Sequence, residues 1–165
     1  MPLITLTDNQ MALAVQVAEK RMAEGAKLGL DTLFNRERMT PEWRQKIDFL
    51  GAVSELAVSI FLGLPWTGKD GIGTSDVSGF EVRSTERQDG KQYRLLVRDH
   101  DKDALYIFCI VDAPNVVIAG WASAWQIRNN GQLIYKDTNA YGLTREQLNP
   151  MWQLEEVTEF ASRTL

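Results

Sequence analysis

Ser75-Asp76-Val77-Ser78-Gly79-Phe80-Glu81-Val82-Arg83-Ser84 is the stretch on which the fold turns. Phe80 and Val82 alternate with Glu81 and Arg83, the period of a strand with one face in a core and the other face charged. If Ser78-Gly79 is a two-residue turn, Val77 pairs with Phe80, and Asp76 lies opposite Glu81 with Cβ atoms about 5 Å apart. A bulged register, the alternative that a Ser-Gly turn leaves open, displaces Asp76 by one position.

Downstream, the segments 93–97, 104–111 and 115–119 are short and rich in Val, Ile, Leu, Tyr and Phe. Turn residues at 88–90, 99–103 and 112–114 separate them, so with 80–84 they read as a meander. A short helix is expected over 121–127, a further strand over 132–135 and a capped helical turn at Thr144-Arg-Glu-Gln147. Upstream, Thr7-Asp-Asn-Gln10 has the spacing of a capping box, and Met11, Ala14, Val15, Val17, Ala18 and Met22 repeat with helical period, giving a first helix over 8–27. After a polar connection at 35–38, Thr40-Pro41 opens a second helix that runs to Leu62 and closes at Gly63. Gly68, Gly71, Gly73 and Gly79 then mark loop and hairpin, and they match no phosphate-binding glycine motif. Two N-terminal helices followed by strands indicate an α/β (α+β) layer structure in which helices cover a sheet.

The 165 residues fit a single domain, and a chain of this length buries roughly 68–70% of the surface its unfolded form exposes. One cysteine, Cys109, builds no disulfide framework and no zinc knuckle, which suits a reducing cytoplasm. The N-terminus has neither the basic start nor the cleavage site of a signal peptide, and the most apolar window, 49–66, contains Glu55 and is too short for a bilayer span. No membrane association is expected. Eighteen Lys and Arg against 22 Asp and Glu leave a net charge of −4, so attraction to a polyanion has to be local. The basic stripe that could supply it is Arg83, Arg87, Lys91, Arg94 and Arg98; the same residues also serve as ordinary strand-edge charge that deters pairing.

Asp76 and Glu81 on one face repel by about 4 kcal/mol at 4 Å and an effective dielectric of 20 unless a cation lies between them. Mg²⁺ (or Mn²⁺) suits the role, because it is held by one or two carboxylates plus waters and substrate phosphate. The simpler reading pairs Glu81 with Arg83 or another base on a solvated face. Glu55 sits among Gly51, Ala52, Val58 and Ser59 on its helix, small neighbours that let another element approach, so it points to the sheet and needs a partner, or it stands at a solvent edge or pairs with an arginine.

A helical Glu, then an Asp, then Glu-x-Lys on a strand is the pattern of the PD-(D/E)XK nuclease superfamily, and residues 51–119 resemble its small phage-encoded members. The resemblance implies a restriction-endonuclease-like core with a central mixed β-sheet flanked by helices. It divides the chain into an N-terminal helical segment (1–40), the core (41–136) and a C-terminal tail (137–165). It implies Asp76 and Glu81 as ligands of Mg²⁺, Glu55 as the supporting acid, and hydrolysis of DNA phosphodiester bonds in the cytoplasm of a bacterial host, with Arg87, Lys91, Arg94 and Arg98 on the backbone phosphates. Arg83 stands where the family has Lys. A guanidinium stabilises developing charge but cannot act as a base, and Lys91, on the next strand, is the alternative source of an ammonium from a neighbouring position. The alternative is an inactive nuclease-fold protein acting as a binding, inhibitory or accessory factor for a host or phage protein. Oligomeric state is not legible. His100 in its polar turn reads as solvated, Cys109 as an inert core thiol, and Trp121 and Trp125 as core residues on one helix face.

Overall fold

The computed structural model describes residues 1–28, 39–68 and 75–154; the expected connection at 35–38 and the glycines Gly71 and Gly73 lie outside them. The described residues form, in order, β1 (Leu3–Thr5), α1 (Asp8–Leu28), α2 (Pro41–Leu62), β2 (Phe80–Glu86), β3 (Arg94–Val97), β4 (Leu105–Asp112), β5 (Asn115–Ser123), α3 (Ala124–Asn130), β6 (Gln132–Tyr135), β7 (Ala140–Thr144) and a 3₁₀ turn at Arg145–Gln147. This is a mixed α/β structure with two sheets. No described helix is long and apolar enough to cross a membrane.

Both long helices begin where the sequence places them. Gln10 N–H donates to Thr7 Oγ1 and Thr7 N–H to Gln10 Oε1, a reciprocal cap on α1. Thr40 caps α2 ahead of Pro41, and Gly63 closes that helix in the left-handed conformation. Buried Ala14 and Ala18 of α1 and Ala52, Val53, Leu56 and Ala57 of α2 form a shared apolar layer with one face of the larger sheet.

That sheet has the order β1-β5-β4-β2. The expected meander is not what forms: β2 pairs with β4 in parallel, Phe80 beside Leu105 and Glu81 beside Tyr106, while β3 leaves for a second sheet of order β3-β7-β6. A parallel pair needs a long crossover. Residues 87–104 provide it, and Leu95 and Val97 within them have a second core to enter. β4 lies between two layers, which explains its unbroken apolar run. Ile107, Cys109 and Val111 face the helices; Tyr106, Phe108 and Ile110 face the second sheet and α3. β7 is the middle strand of the second sheet, although its residues fall in the segment read as a tail, and β1 adds a short edge that the sequence did not signal.

The helix expected at 121–127 starts later. Ser123 caps α3 with a Ser123–Gln126 capping box, and Trp121 belongs to β5. Trp121 is buried, but Trp125 is 63% exposed and is not a core residue. A bulge in β5, where the partners of Phe108 and Cys109 are Gly120 and Ile118, reverses the alternation so that Trp121 returns to the helix side.

Gly120 has φ +148°, and a Cβ there would lie 2.7 Å from Asn149 O and 2.8 Å from Leu148 Cβ. Gly120→Ala is expected to lower stability by about 2–4 kcal/mol, from backbone strain plus the clash, as read by urea unfolding. A midpoint equal to wild type would show that the bulge tolerates a side chain.

Candidate functional site

The Ser78-Gly79 turn forms in the unbulged register. Both residues have positive φ, 41° and 98°, and Val77 and Phe80 exchange both backbone hydrogen bonds. Phe80 therefore turns its N–H and C=O to the open edge of β2, and so does Val82 two residues on. Val82 N–H donates to Asp76 Oδ2 at 2.7 Å, so the aspartate extends the edge where the hairpin ends.

Phe80 and Val82 enter the helix-side core, which sends Glu81 and Arg83 to the opposite face. Glu81 is buried there, and Lys102 Nζ lies 2.9 Å from its Oε1. Arg83 stacks over the Tyr106 ring with 5.2 Å to the centroid and approaches Asp101 Oδ1 at 3.4 Å. Asp101 and Lys102 are consecutive on the turn ahead of β4, so that turn supplies a counter-charge to each of the two β2 residues. The hydroxyl of Tyr106, buried and pushed up to about 12, stays protonated and donates to Lys102 O at 2.9 Å, which fixes the turn.

Glu55 is pointed inward, as the small residues around it suggest, but its oxygens are already taken. Arg21 of α1 donates Nη1 to Oε1 at 2.8 Å and Nη2 to Oε2 at 2.6 Å, and Trp66 Nε1 donates to Oε2 at 2.9 Å. Arg21 also donates Nε to Gly68 O. Both side chains of the pair are 6% exposed. Of the readings open for Glu55, pairing with an arginine is the one realised. Arg21 and Trp66 were not singled out in the sequence, because neither a mid-helix Arg nor a loop Trp marks its partner there.

Asp76 remains the unusual acid. Burial pushes its carboxyl from 3.8 up to about 6, the negative charges of Glu55 and Glu81 push the same way, and the Val82 N–H and Arg83 pull back. Its Oδ1 and Glu81 Oε2 carry no hydrogen bond or ion pair from the described residues. The expected trio around one cation does not assemble: among the described residues no group of three His, Cys, Asp or Glu is placed to hold a metal ion. Glu55 acts on Asp76 through its charge, but its own oxygens are committed to Arg21 and Trp66. Asp76 and Glu81 still offer the oxygen chemistry that Mg²⁺ takes, an ion that keeps most of its shell as water and substrate.

The lysine that reaches Glu81 is Lys102, not Lys91. Lys91 follows β2 in a loop and not on a strand, and it donates to Thr85 Oγ1 at 3.1 Å. Arg87 also leaves the group, pairing with Asp112 at 3.3 Å. Arg83, Lys91, Arg94 and Arg98 do converge, lining a cleft of about 400 Å³ between β2 and the second sheet. Arg83 thus touches both the cleft and the field of Asp76. His100 lies exposed in its turn, and burial pushes the Cys109 thiol up to about 12, which leaves it inert.

No protein-family model, curated protein or solved structure matches the chain.

Two measurements test the electrostatics. Arg21→Ala leaves a buried carboxylate alone and is expected to cost about 3–5 kcal/mol in urea unfolding, with much of that recovered by the apolar pair Arg21→Met and Glu55→Leu. No loss on Arg21→Ala would mean that Glu55 finds water. Asp76 holds its proton more tightly folded than unfolded, so the stability this gives is present below pH 3.8 and lost as pH rises through about 6. Asp76→Asn keeps an acceptor for Val82 N–H; in EDTA it should exceed wild type by roughly 1–3 kcal/mol at about pH 8 and lose that advantage near pH 4. A constant difference across the range would refute the raised pKa.

Proposed function

We propose that the chain is a metal-dependent nuclease-like protein that hydrolyses DNA phosphodiester bonds at Asp76 and Glu81, on a restriction-endonuclease-like core. The observation that carries this reading is the Asp76 carboxyl, pushed up to about 6 by burial and by the charges of Glu55 and Glu81, with Asp76 Oδ1 and Glu81 Oε2 lacking a partner among the described residues and with Arg83, which lines the cationic cleft, acting on it as well. Carboxyls shifted by burial and by neighbouring like charges cluster at functional sites. The Asp76 and Glu81 oxygens would hold the cation, and when bound it supplies a water of lowered pKa and neutralises phosphate charge.

The side chains around the pair take distinct parts. Lys102, against Glu81 Oε1 and 46% exposed, places an ammonium where a phosphate held at Glu81 would lie. It occupies the role that the family pattern gives to a Lys at the position of Arg83. Arg83, always charged and fixed by Tyr106 and Asp101, stabilises charge that develops on the phosphate. Glu55 acts through position alone: locked by Arg21, it holds α1 against α2 and adds its field to Asp76.

A second reading has an observation of its own. Lys102 already neutralises Glu81 and Arg21 already neutralises Glu55, so the carboxylates are largely balanced without a metal. On that reading the fold is kept for binding, as an inhibitory or accessory factor for a host or phage protein.

Cleavage of plasmid and linear DNA separates the two. With Mg²⁺ or Mn²⁺ the wild type should nick or cut, EDTA should abolish the activity, Glu81→Ala should fall to background, and Lys102→Ala should lose about 100- to 1000-fold. In parallel, Mn²⁺ at 100 times its dissociation constant should raise wild-type stability by about 2.7 kcal/mol and leave Glu81→Ala unmoved. Wild type that cuts no better than Glu81→Ala would end the hydrolase reading.

A further inference from the structure

The cleft between β2 and the second sheet has a composition that a double helix does not require. Its rim is cationic: Lys91, Arg94 and Arg98 stand there, and their described partners are neutral or none. Lys91 donates to Thr85, Arg94 to Gln92 Oε1 at 2.9 Å, and the Arg98 guanidinium meets no side chain of the described residues. Asp101 is the acidic residue among the lining, and it is engaged by Arg83. On a protein with net charge −4 this is a local excess of positive charge, and Lys91, Arg94 and Arg98 have no acidic side-chain partner among the described residues.

The inside of the same cleft is apolar and aromatic. Phe108 and Ala140 are buried at its floor, Leu96 and Ile134 are half-buried on its walls, and Tyr93 and Tyr135 complete it. Tyr93 is pinned, its hydroxyl donating to Gln88 O and accepting from Gln88 N–H, both at 2.8 Å. Tyr135 is 54% exposed and its hydroxyl has no partner among the described residues. Exposure alone would not distinguish it, since Trp125 and Trp152 are more exposed. What distinguishes Tyr135 is that its ring borders a basic cavity.

Size points the same way. A volume of about 400 Å³ corresponds to a sphere about 9 Å across, within the range of small-ligand pockets. The major groove of B-DNA is by itself about 12 Å wide, so a duplex could touch the rim but not enter. A base with its sugar and phosphate fits. Apolar and aromatic walls offer a base face something to stack on, and the cationic rim follows the backbone, the combination by which single strands are held.

We infer that the cleft binds an unpaired stretch of polynucleotide, one base stacked on Tyr135 over the apolar floor and the flanking phosphates on Lys91, Arg94 and Arg98. This names the strandedness of the substrate and rests on the nucleic-acid reading of the preceding section, though not on catalysis. The shared chemistry is an exposed base next to a phosphodiester, whichever sugar carries it.

Fluorescence anisotropy in EDTA tests it, with labelled oligo(dT), oligo(U) and a duplex of the same length titrated with the whole chain. Either single strand should bind about tenfold or more tightly than the duplex, and the better of the two identifies the sugar. Tyr135→Ala should weaken that strand about tenfold. Arg98→Ala should weaken it and reduce the slope of log affinity against log salt by about 0.7. Trp125→Ala, an exposed aromatic away from the cleft, should bind as wild type. Thermal melts of each variant that match wild type exclude unfolding as the cause. Duplex bound as tightly as single strand, or Tyr135→Ala with wild-type affinity, overturns the inference. Because no metal is present, a failure of hydrolysis would leave the strand-binding result standing, and a failure of strand binding would not touch the cleavage assay.

Discussion

Burial of Phe80 and Val82 against the helix layer is the constraint on which the rest depends. A strand alternates its side chains, so once these two are committed Glu81 and Arg83 must emerge on the other face. That face would be ordinary solvent-exposed sheet if β2 stood alone. Because β2 pairs in parallel with β4, the two charges sit beside Tyr106 and Phe108, where Glu81 is buried and Arg83 is partly covered. The charges are thereby brought into a partly desolvated place that neither would occupy by its own preference.

The molecule meets that cost with specific partners, and their identities divide the acids into two kinds. Glu55 and Arg21 form a closed unit: a bidentate pair with the Trp66 indole on one oxygen and Gly68 O on the guanidinium. Such a unit fixes geometry and leaves little for a ligand. Asp76 and Glu81 are more open: among the described residues each is held on a single oxygen, by a backbone N–H in one case and a half-exposed lysine in the other. The proposed function assigns support to the closed unit and chemistry to the open carboxylates, since a ligand can only be taken by groups that are not already saturated.

The two halves of the molecule contribute unequally to this arrangement. α1 and α2 hold the rear of the sheet and the closed pair, whereas the second sheet, completed by β7, supplies one wall of the cleft. β6 and β7 are therefore part of the cleft lining and not a passive appendage.

Much of this was legible from residues 75–84 alone. The period of Phe80 and Val82, the turn at Ser78-Gly79, the caps at Thr7 and Thr40 and the closing Gly63 are local facts, set by side-chain spacing and backbone preference within a few residues, and the structure keeps them. The capping box Ser123–Gln126 was equally local and would have placed α3 and freed Trp121 for β5. Lys102 as the ammonium on Glu81, Arg21 as the partner of Glu55, and the parallel pairing that replaces a meander could not be read this way. Each joins residues far apart in sequence, and which distant charge reaches a buried carboxylate is decided by how the layers stack, a quantity that no local spacing contains.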